Sequence, residues 1–157
     1  MRKALSGVLV LTSASILALG TAGTAHASRA FWLGEVLHGT NTVDRINGYG
    51  GNDTILGYDL HDELRGDQGA DHIYGGDGDD QIYGDAGDDR LYGGPRYDTI
   101  DTGSGLDYVH AGPGQDMVVV RRGVHADTVH CGTGRDEVYI KGAGANPRLY
   151  GCEVVHR

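Results

Sequence analysis

The sequence contains few of the residues that usually fill a hydrophobic core or an active site. Its 157 residues include one Trp, one Phe, two Met, three Pro and two Cys. Lys and Arg together number 13 against 22 Asp and Glu, and the formal net charge is −9. This acidic balance argues against nucleic acid and anionic membranes as partners and favours cations. No H-E-x-x-H, G-x-S-x-G or G-x-G-x-x-G motif is present, so no catalytic motif suggests an enzyme.

The one long apolar stretch lies at the N-terminus. Arg2 and Lys3 precede the run ALSGVLVLTSASILALG, and A-H-A at positions 25–27 has the form of a signal-peptidase site. We predict a signal peptide over residues 1–27 and a secreted, extracellular protein that starts at Ser28 and has no membrane span. Loss of the two basic residues would change the formal charge from −9 to −11. An uncleaved membrane anchor is the alternative, since the run is near the lower length limit for spanning a bilayer.

The two cysteines, Cys131 and Cys152, both lie near the C-terminus. Outside the cytoplasm such a pair is more often bridged than free, and closing a loop of this length contributes about 3 kcal/mol in the chain-entropy model. A zinc site is unsupported, because zinc needs four ligands and no suitably spaced histidine accompanies the pair. We predict a structural disulfide that fastens a C-terminal cap.

A nine-residue repeat runs through the middle of the chain. Counted from Gly39, nine consecutive nonapeptides end at residue 119. Every sixth position is Asp: Asp44, Asp53, Asp62, Asp71, Asp80, Asp89, Asp98, Asp107 and Asp116. Every eighth position is Ile, Leu or Val: Ile46, Ile55, Leu64, Ile73, Ile82, Leu91, Ile100, Val109 and Val118. Disordered acidic sequence would not keep this phase, so the repeat indicates a regular fold.

The phase of the repeat changes after residue 119. The next unit, 120–130, has eleven residues, yet its Asp127 and Val129 are still two positions apart. The segment CGTGRDEVY at 131–139 then returns to nine residues. The repeat therefore extends, less regularly, towards the C-terminus.

Both flanks of the repeats contain candidate caps. In the segment AFWLGEVLH, which includes Trp32, Glu35 falls in phase with the sixth position. We predict an N-terminal cap or atypical first repeat over 28–38, the regular repeats over 39–119, and irregular last repeats with a C-terminal cap over 120–157. Caps are needed because the outermost strands of a solenoid otherwise leave open edges.

Each nonapeptide supplies turn-forming residues and one short strand with an apolar centre. Because side chains alternate along a strand, the apolar residue points to one face and its neighbours point to the other. Two nonapeptides complete one coil of two short strands and two turns, and coils stack about 4.8 Å apart. We predict an all-β fold, a parallel β-roll of the β-helix solenoid type. A helix is disfavoured, because a period of nine gives it no continuous apolar stripe and glycines recur every few residues.

The repeats are too acidic and too rich in glycine to fold unaided. Residues 66–92 contain eight Asp and one Arg, a formal charge of −7. One buried Ile or Leu contributes about 1.5–3 kcal/mol, whereas ordering each backbone residue of a repeat costs about 1–2 kcal/mol. A positively charged species must therefore lie among the aspartates. An EF-hand is not supported, since no D-x-[DN]-x-[DN]-G loop ends in the required Glu.

The units GGDGDDQIY, GDAGDDRLY and GYGGNDTIL resemble the GGxGxDxUx nonapeptide of the RTX (repeats-in-toxin) calcium-binding β-roll. The resemblance implies that several Ca²⁺ ions bind in the glycine turns. There, the sixth-position Asp of one repeat and that of the repeat eighteen residues later would share an ion with backbone carbonyls. Calcium takes about six to eight oxygen ligands. The implied metal-binding residues are the nine sixth-position aspartates and the turn glycines Gly48, Gly66, Gly75 and Gly84.

Several repeats depart from this motif. The fourth-position glycine is replaced by Thr42, Leu60 and Arg96, and the first-position glycine by Thr102 and Ala111. Because Arg96 places a positive charge where a calcium turn should be, we expect weaker sites in its repeat. Aspartates outside the sixth position are interpreted as acidic surface: Asp77, Asp79, Asp85 and Asp88.

Tyr74, Tyr83 and Tyr92 occupy the ninth position of three successive repeats. Tyr74 and Tyr92 should stack on one outer face of the roll, and Tyr83 should lie on the opposite face. Cross-strand packing is the simpler interpretation, and a platform for carbohydrate or peptide is the alternative.

These features favour a secreted calcium-binding protein that folds on binding Ca²⁺. One alternative is an extracellular interaction or adhesion module, in which the calcium-stabilised roll is a scaffold for an unidentified cell-wall or protein partner. A small hydrolase is a weaker alternative, because calcium accounts for the sixth-position aspartates and the repeat leaves no obvious cleft. We therefore expect no enzymatic activity.

Overall fold

The fold is a stack of short parallel strands. A computed structural model of the protein describes residues 15–17, 24–26, 34–121 and 123–157. Within these ranges the chain forms no helix and makes two parallel sheets of eight strands each, about seven turns of a solenoid. Odd-numbered strands form the first sheet and even-numbered strands the second, so the chain crosses from one sheet to the other at every turn.

The strands are three to seven residues long, and each strand of the nonapeptide region contains one eighth-position apolar residue. The first sheet contains β1 (Ser15–Leu17), β3 (Val36–His38), β5 (Thr54–Asp59), β7 (His72–Asp77), β9 (Arg90–Tyr92), β11 (Tyr108–Gly114), β13 (Thr128–Gly134) and β15 (Arg148–Tyr150). The second contains β2 (Thr24–His26), β4 (Arg45–Asn47), β6 (Glu63–Arg65), β8 (Gln81–Tyr83), β10 (Thr99–Asp101), β12 (Met117–Arg121), β14 (Glu137–Lys141) and β16 (Val154–His156).

Pairing between strands follows the repeat. Ile55 pairs with Ile73, eighteen residues later, which is two nonapeptides. Val109 pairs with Val129, and this separation of twenty residues accommodates the eleven-residue unit without a change of face. The predicted parallel β-roll is therefore confirmed.

The core is a row of the eighth-position side chains from both sheets. None of them is more than 2% exposed. The row consists of Leu37, Ile46, Ile55, Leu64, Ile73, Ile82, Leu91, Ile100, Val109, Val118, Val129 and Val138. Each buried branched side chain contributes about 1.5–3 kcal/mol, so the hydrophobic contribution is spread evenly along the stack.

The C-terminal end is closed by a disulfide, as predicted. Cys131 and Cys152 are bonded, with their Cα atoms 5.2 Å apart. Cys131 lies in the core and Leu149 packs against it, while β15 and β16 form the last strand of each sheet. The bond therefore ties the outermost strands to the coil beneath them.

The N-terminal predictions concern residues that the structure describes only in part. Strands β1 and β2 lie within the predicted signal segment 1–27 and pair with β3 and β4. Trp32 lies outside the described residues. Cleavage after residue 27 stays a prediction.

In the ranges that the structure covers, no helix is long and apolar enough to cross a membrane.

Candidate metal sites in the turns

The sixth-position aspartates are buried at the two edges of the roll. Each follows a glycine turn and immediately precedes a strand, and none of the nine is more than 3% exposed. Asp53, Asp71, Asp89 and Asp107 precede strands of the first sheet, and the other five, which begin with Asp44, precede strands of the second. The sequence thus places one row of carboxylates along each edge.

Hydrogen bonds join neighbouring aspartates within each row. The backbone amide of Asp53 donates to Oδ1 of Asp71 at 2.7 Å, and the amide of Asp62 donates to Oδ1 of Asp80 at 2.8 Å. The same bond recurs along both rows at 2.7–3.0 Å. The structure therefore brings together the pairs, eighteen residues apart, that the sequence predicts as shared ligands.

The second carboxylate oxygen of these residues has no hydrogen-bond partner although it is buried. This holds for Oδ2 of Asp53, Asp62, Asp71, Asp80, Asp89, Asp98, Asp107 and Asp116, and for Oδ1 of Asp44. A buried polar group without a partner is costly, and a buried charge is costlier still. A cation among these oxygens would remove the cost, so the residues present fit the metal that the motif implies.

The first-position glycines leave room for these oxygens. A Cβ on Gly84 would lie 2.6 Å from Oδ2 of Asp89 and 2.5 Å from the carbonyl oxygen of Thr102 in the next coil. A Cβ on Gly48 would lie 2.6 Å from Oδ2 of Asp53 and 2.8 Å from the Gly66 carbonyl oxygen. Carboxylate and carbonyl oxygens of successive coils thus converge beside a glycine, where no side chain would fit, and such mixed oxygen sets suit Ca²⁺.

The remaining predicted glycines repeat this arrangement. A Cβ on Gly75 would lie 2.5 Å from Oδ2 of Asp80. A Cβ on Gly66 would contact Oδ2 of Asp71 and would lie 2.9 Å from the Gly84 carbonyl oxygen. Gly66 and Gly84 therefore have two roles, since each accommodates its own aspartate and directs its carbonyl towards the preceding coil.

Burial raises the pKa of several row carboxylates in the absence of metal. Loss of hydration raises the pKa of Asp107 to about 8 and that of Asp89 to about 7, opposed by the backbone hydrogen bond each accepts and reinforced by neighbouring carboxylates. The pKa values of Asp62 and Asp98 rise to about 7 for the same main reason. These four carboxylates therefore hold protons for part of the time in the calcium-free fold near neutral pH, and a cation would compete with those protons.

Main-chain or water oxygens are a necessary part of any site here. No group of three or more His, Cys, Asp or Glu side chains that could hold a metal ion occurs in the described part of the chain. A metal bound in the turns would therefore draw on carbonyl or water oxygens in addition to one or two carboxylates. This composition is typical of Ca²⁺ and unlike the four side-chain ligands of a structural Zn²⁺ site.

The departures from the motif leave the turn geometry intact. Arg96 adopts a positive φ of 90° where glycine is usual. The amide of Asp80 nevertheless donates to Oδ1 of Asp98 at 2.9 Å, and Oδ2 of Asp98 is buried like its counterparts. The backbone of this repeat is therefore preserved, while its affinity for metal stays a prediction.

Aspartates outside the sixth position make other contacts. Oδ1 of Asp88 accepts a hydrogen bond from the Leu106 amide at 2.8 Å, and Asp85 forms an ion pair with Arg65 at 3.3 Å. Asp77 and Asp79 are exposed. None of these four belongs to the two rows, although Asp85 is half-buried, and their assignment to an acidic surface stays a prediction.

Acidic residues beyond the nine predicted also belong to the rows. The amide of Asp107 donates to Oδ1 of Asp127, and that of Asp116 donates to Oδ1 of Asp136. The amide of Asp136 in turn donates to Oε2 of Glu153 at 3.0 Å. The sequence contains a signal for each of these residues, because each lies two positions before a branched apolar residue, as Glu153 does before Val155.

Comparison with known families agrees with this geometry. The family model of the RTX calcium-binding nonapeptide repeat, in four copies, matches residues 32–64, 56–91 and 83–118. These matches cover more than half of the chain, which belongs to this family of calcium-binding β-rolls. The repeats of the family bind Ca²⁺ at multiple sites and are typical of secreted or extracellular proteins. Comparisons with curated proteins and with solved structures gave no match.

Proposed function

We propose that this chain is a secreted calcium-binding protein whose β-roll folds when Ca²⁺ binds between its stacked turns. The observation that supports this most strongly is the row of buried, unpaired carboxylate oxygens at each edge of the roll. Without a cation these oxygens oppose folding at neutral pH, and with a cation they join adjacent coils. Calcium would therefore act as part of the fold.

The proposed ligands are the sixth-position aspartates and the carbonyl oxygens of the first-position residues. Asp53, Asp62, Asp71, Asp80 and Asp89 lie in repeats whose turns are closest to the motif. Asp44, Asp98, Asp107 and Asp116 extend the two rows, with Gly48, Gly66, Gly75 and Gly84 forming the turns. From Asp53 onwards each of these aspartates accepts a hydrogen bond from the preceding coil through Oδ1, so neighbouring ions would share ligands and binding should be cooperative.

The proposed location follows from affinity. Extracellular calcium modules bind with dissociation constants of about 10⁻⁴–10⁻³ M, and a roll in this range would stay unfolded where calcium is scarce and fold outside the cell. The proposed signal peptide over residues 1–27 is consistent with that route.

We propose no catalytic role for the carboxylate rows. A general acid or base must contact its substrate, and the row carboxylates are no more than 3% exposed. Their regular spacing serves stacking between coils, which requires that they face neighbouring turns instead of solvent.

The test is far-UV circular dichroism of the chain, titrated with calcium from a chelated start. We expect a cooperative rise of β-signal between about 0.1 and 10 mM Ca²⁺. Magnesium at the same concentrations is the control, because its small octahedral shell does not suit mixed carbonyl sites. A β-signal that is already complete in chelator at neutral pH would contradict the proposal.

A further inference from the structure

The outer face of the first sheet differs in charge from the rest of the molecule. On the odd-numbered strands from β3 to β15, the residues on either side of the buried apolar residue point outward. None of these outward side chains is Asp or Glu. We call this surface the acid-free face. It carries Arg90, Arg148, His72, His110 and His130. In a chain with 22 acidic residues this is a local reversal of charge.

The second sheet balances its charges within its own surface. Arg45 Nε lies 2.8 Å from a Glu63 carboxylate oxygen, and Arg121 forms two hydrogen bonds of 2.7 Å to Asp101. On the acid-free face, Arg90 and Arg148 make no ion pair within the described part of the chain. The Arg148 guanidinium is therefore available to an anion from outside, whereas Nη1 of Arg90 lies 3.1 Å from Nε2 of His72 and the other N–H groups of Arg90 can still donate.

Aromatic rings at the ninth positions run along the acid-free face. Tyr74 and Tyr92 stack with centroids 4.8 Å apart and planes 5° apart, which confirms the predicted pair, while Tyr83 lies on the second sheet. His130 and Tyr150 stack at 4.6 Å and 10°. Because these rings cover one another's faces, they present edges, hydroxyls and ring nitrogens to solvent. The surface is thus an array of hydrogen-bond donors with few open ring faces.

A pocket of about 380 Å³ adjoins the two arginines. Arg90, Tyr108 and Arg148 line it together with Asp88, whose Oδ1 accepts the hydrogen bond from the Leu106 amide. The other carboxylates in its lining belong to the buried rows. Two guanidinium groups beside one pocket suit a carboxylate or sulfate group, which arginine binds through paired N–H donors.

We propose that the acid-free face binds an acidic polysaccharide, with its carboxylate or sulfate groups held by Arg90 and Arg148. Strands repeat about every 4.7–4.9 Å along the roll, which is close to the length of one sugar ring in an extended polysaccharide. A chain lying along the roll axis would therefore present about one sugar to each strand. The inference rests on the folded roll of the proposed function and not on which residues bind calcium.

Single-stranded nucleic acid fits this face less well. Such strands bind by stacking bases on open aromatic faces, and the faces of Tyr74 and Tyr92 are turned to each other. The hydroxyls and acidic groups of a polysaccharide bind to hydrogen-bond donors, and this face supplies tyrosine hydroxyls, histidine ring nitrogens and arginine guanidinium groups.

The test is isothermal titration calorimetry of the full chain in calcium with four probes. The probes are hexagalacturonate, a heparin hexasaccharide, neutral maltohexaose and an oligothymidylate, with each also titrated into buffer to subtract calcium binding by the probe. We expect binding of at least one acidic hexasaccharide, and the one that binds distinguishes carboxylate from sulfate recognition. No binding of either acidic probe, or equal binding of maltohexaose or oligothymidylate, would overturn the proposal.

Two matched variants locate the binding surface. R90Q/R148Q removes both charges from the acid-free face, whereas R45Q/R65Q removes the same charge from the second sheet. We expect affinity to fall about tenfold or more in the first variant and less than about twofold in the second, because charge-assisted hydrogen bonds act at contact. Equal losses of affinity in the two variants would mean that binding depends only on the net charge of the protein, which would contradict the proposal.

Circular dichroism of each variant in calcium distinguishes a failure of calcium-dependent folding from a failure of saccharide binding. A roll that folds with calcium but binds no acidic saccharide refutes this inference alone. A chain whose fold does not depend on calcium contradicts the proposed function, and saccharide binding to that folded chain still decides the role of the acid-free face.

Discussion

The backbone amide of Asp71 donates a hydrogen bond to Oδ1 of Asp89, 2.8 Å away and eighteen residues later in the chain. The other oxygen of that carboxylate, Oδ2, is buried without a hydrogen-bond partner. One side chain therefore joins two coils with one oxygen and directs the other into the turn. Loss of the charge at a single aspartate should weaken the coils on both sides.

The substitution Asp89→Asn tests this coupling. The amide keeps an oxygen that can accept from Asp71 but loses the charge, so the calcium midpoint of folding should rise about tenfold, since ligand charge sets affinity. The neighbouring Asp88→Asn is the matched control, because Asp88 is exposed and its bond to the Leu106 amide survives in Asn. Calcium titration by circular dichroism measures both, and equal midpoints would contradict the assignment of Asp89.

The substitution Gly84→Ala tests the space beside the carboxylate. The added methyl group would lie 2.6 Å from Oδ2 of Asp89 and 2.5 Å from the Thr102 carbonyl oxygen. We expect a loss of about 1–3 kcal/mol in the free energy of unfolding, measured by urea denaturation in calcium, because overpacking forces neighbouring atoms apart. Gly123→Ala is the control, since no atom lies within 4 Å of its Cβ position. Similar stabilities for the two variants would show that the turn adjusts without cost.

The calcium-free roll should be more stable in acid than at neutral pH. Burial raises the pKa of Asp89 to about 7 and that of Asp107 to about 8, from an ordinary value of 3.8. A group whose pKa is higher in the folded state stabilises that state fully below its unfolded pKa, and the contribution is lost as pH rises through the folded pKa. Protons therefore substitute for calcium at low pH.

Circular dichroism in chelator measures this dependence. We expect β-signal near about pH 4–5 that decreases as pH rises through about 6–8. Addition of calcium near neutral pH should restore the signal and release protons into a weakly buffered solution. A calcium-free roll that is more stable at pH 8 than at pH 5 would contradict the raised pKa values.

Removal of the disulfide should affect the C-terminal coils first. The bond closes a separation of 21 residues, which corresponds to about 3 kcal/mol in the chain-entropy model. In Cys131→Ala/Cys152→Ala, hydrogen exchange in calcium should show loss of protection in β15 and β16, with β7 and β9 little changed. The unsubstituted chain under oxidising conditions is the reference. A uniform loss along the roll would mean that the cap controls the entire stack.

The fold could be predicted from the sequence because nearly all of its information is periodic. In each of the nine repeats, phased residues such as Asp71 and Ile73 specify the turn, the strand and the inward direction. The disulfide could also be predicted, because Cys131 and Cys152 are the two cysteines of the sequence and lie close together near the C-terminus. The two extra residues of the unit 120–130 lengthen the connection between strands and leave the pairing of Val109 with Val129 in place.

Some features could not be predicted because they depend on contacts between repeats. The tolerance of Arg96 in a glycine position reflects hydrogen bonds of its turn, such as its amide to the Pro113 carbonyl at 2.8 Å. The role of Glu153 depends on where the last coil lies. The acid-free face can be recognised only when the seventh and ninth positions of each repeat are assigned to one sheet or the other. Successive repeats belong to alternate sheets, so in the linear sequence the residues of this face are interleaved with acidic residues of the second sheet.

The direction of the aspartate hydrogen bonds has a consequence for how the roll is completed. Each row carboxylate from Asp53 to Glu153 accepts a hydrogen bond from an amide of the preceding coil, as Asp136 does from Asp116 and Glu153 does from Asp136. The amides of one coil are thus satisfied only when the next coil is in place. Glu153 supplies the acceptor for the amide of Asp136, so the last coil completes the hydrogen bonding of the coil before it.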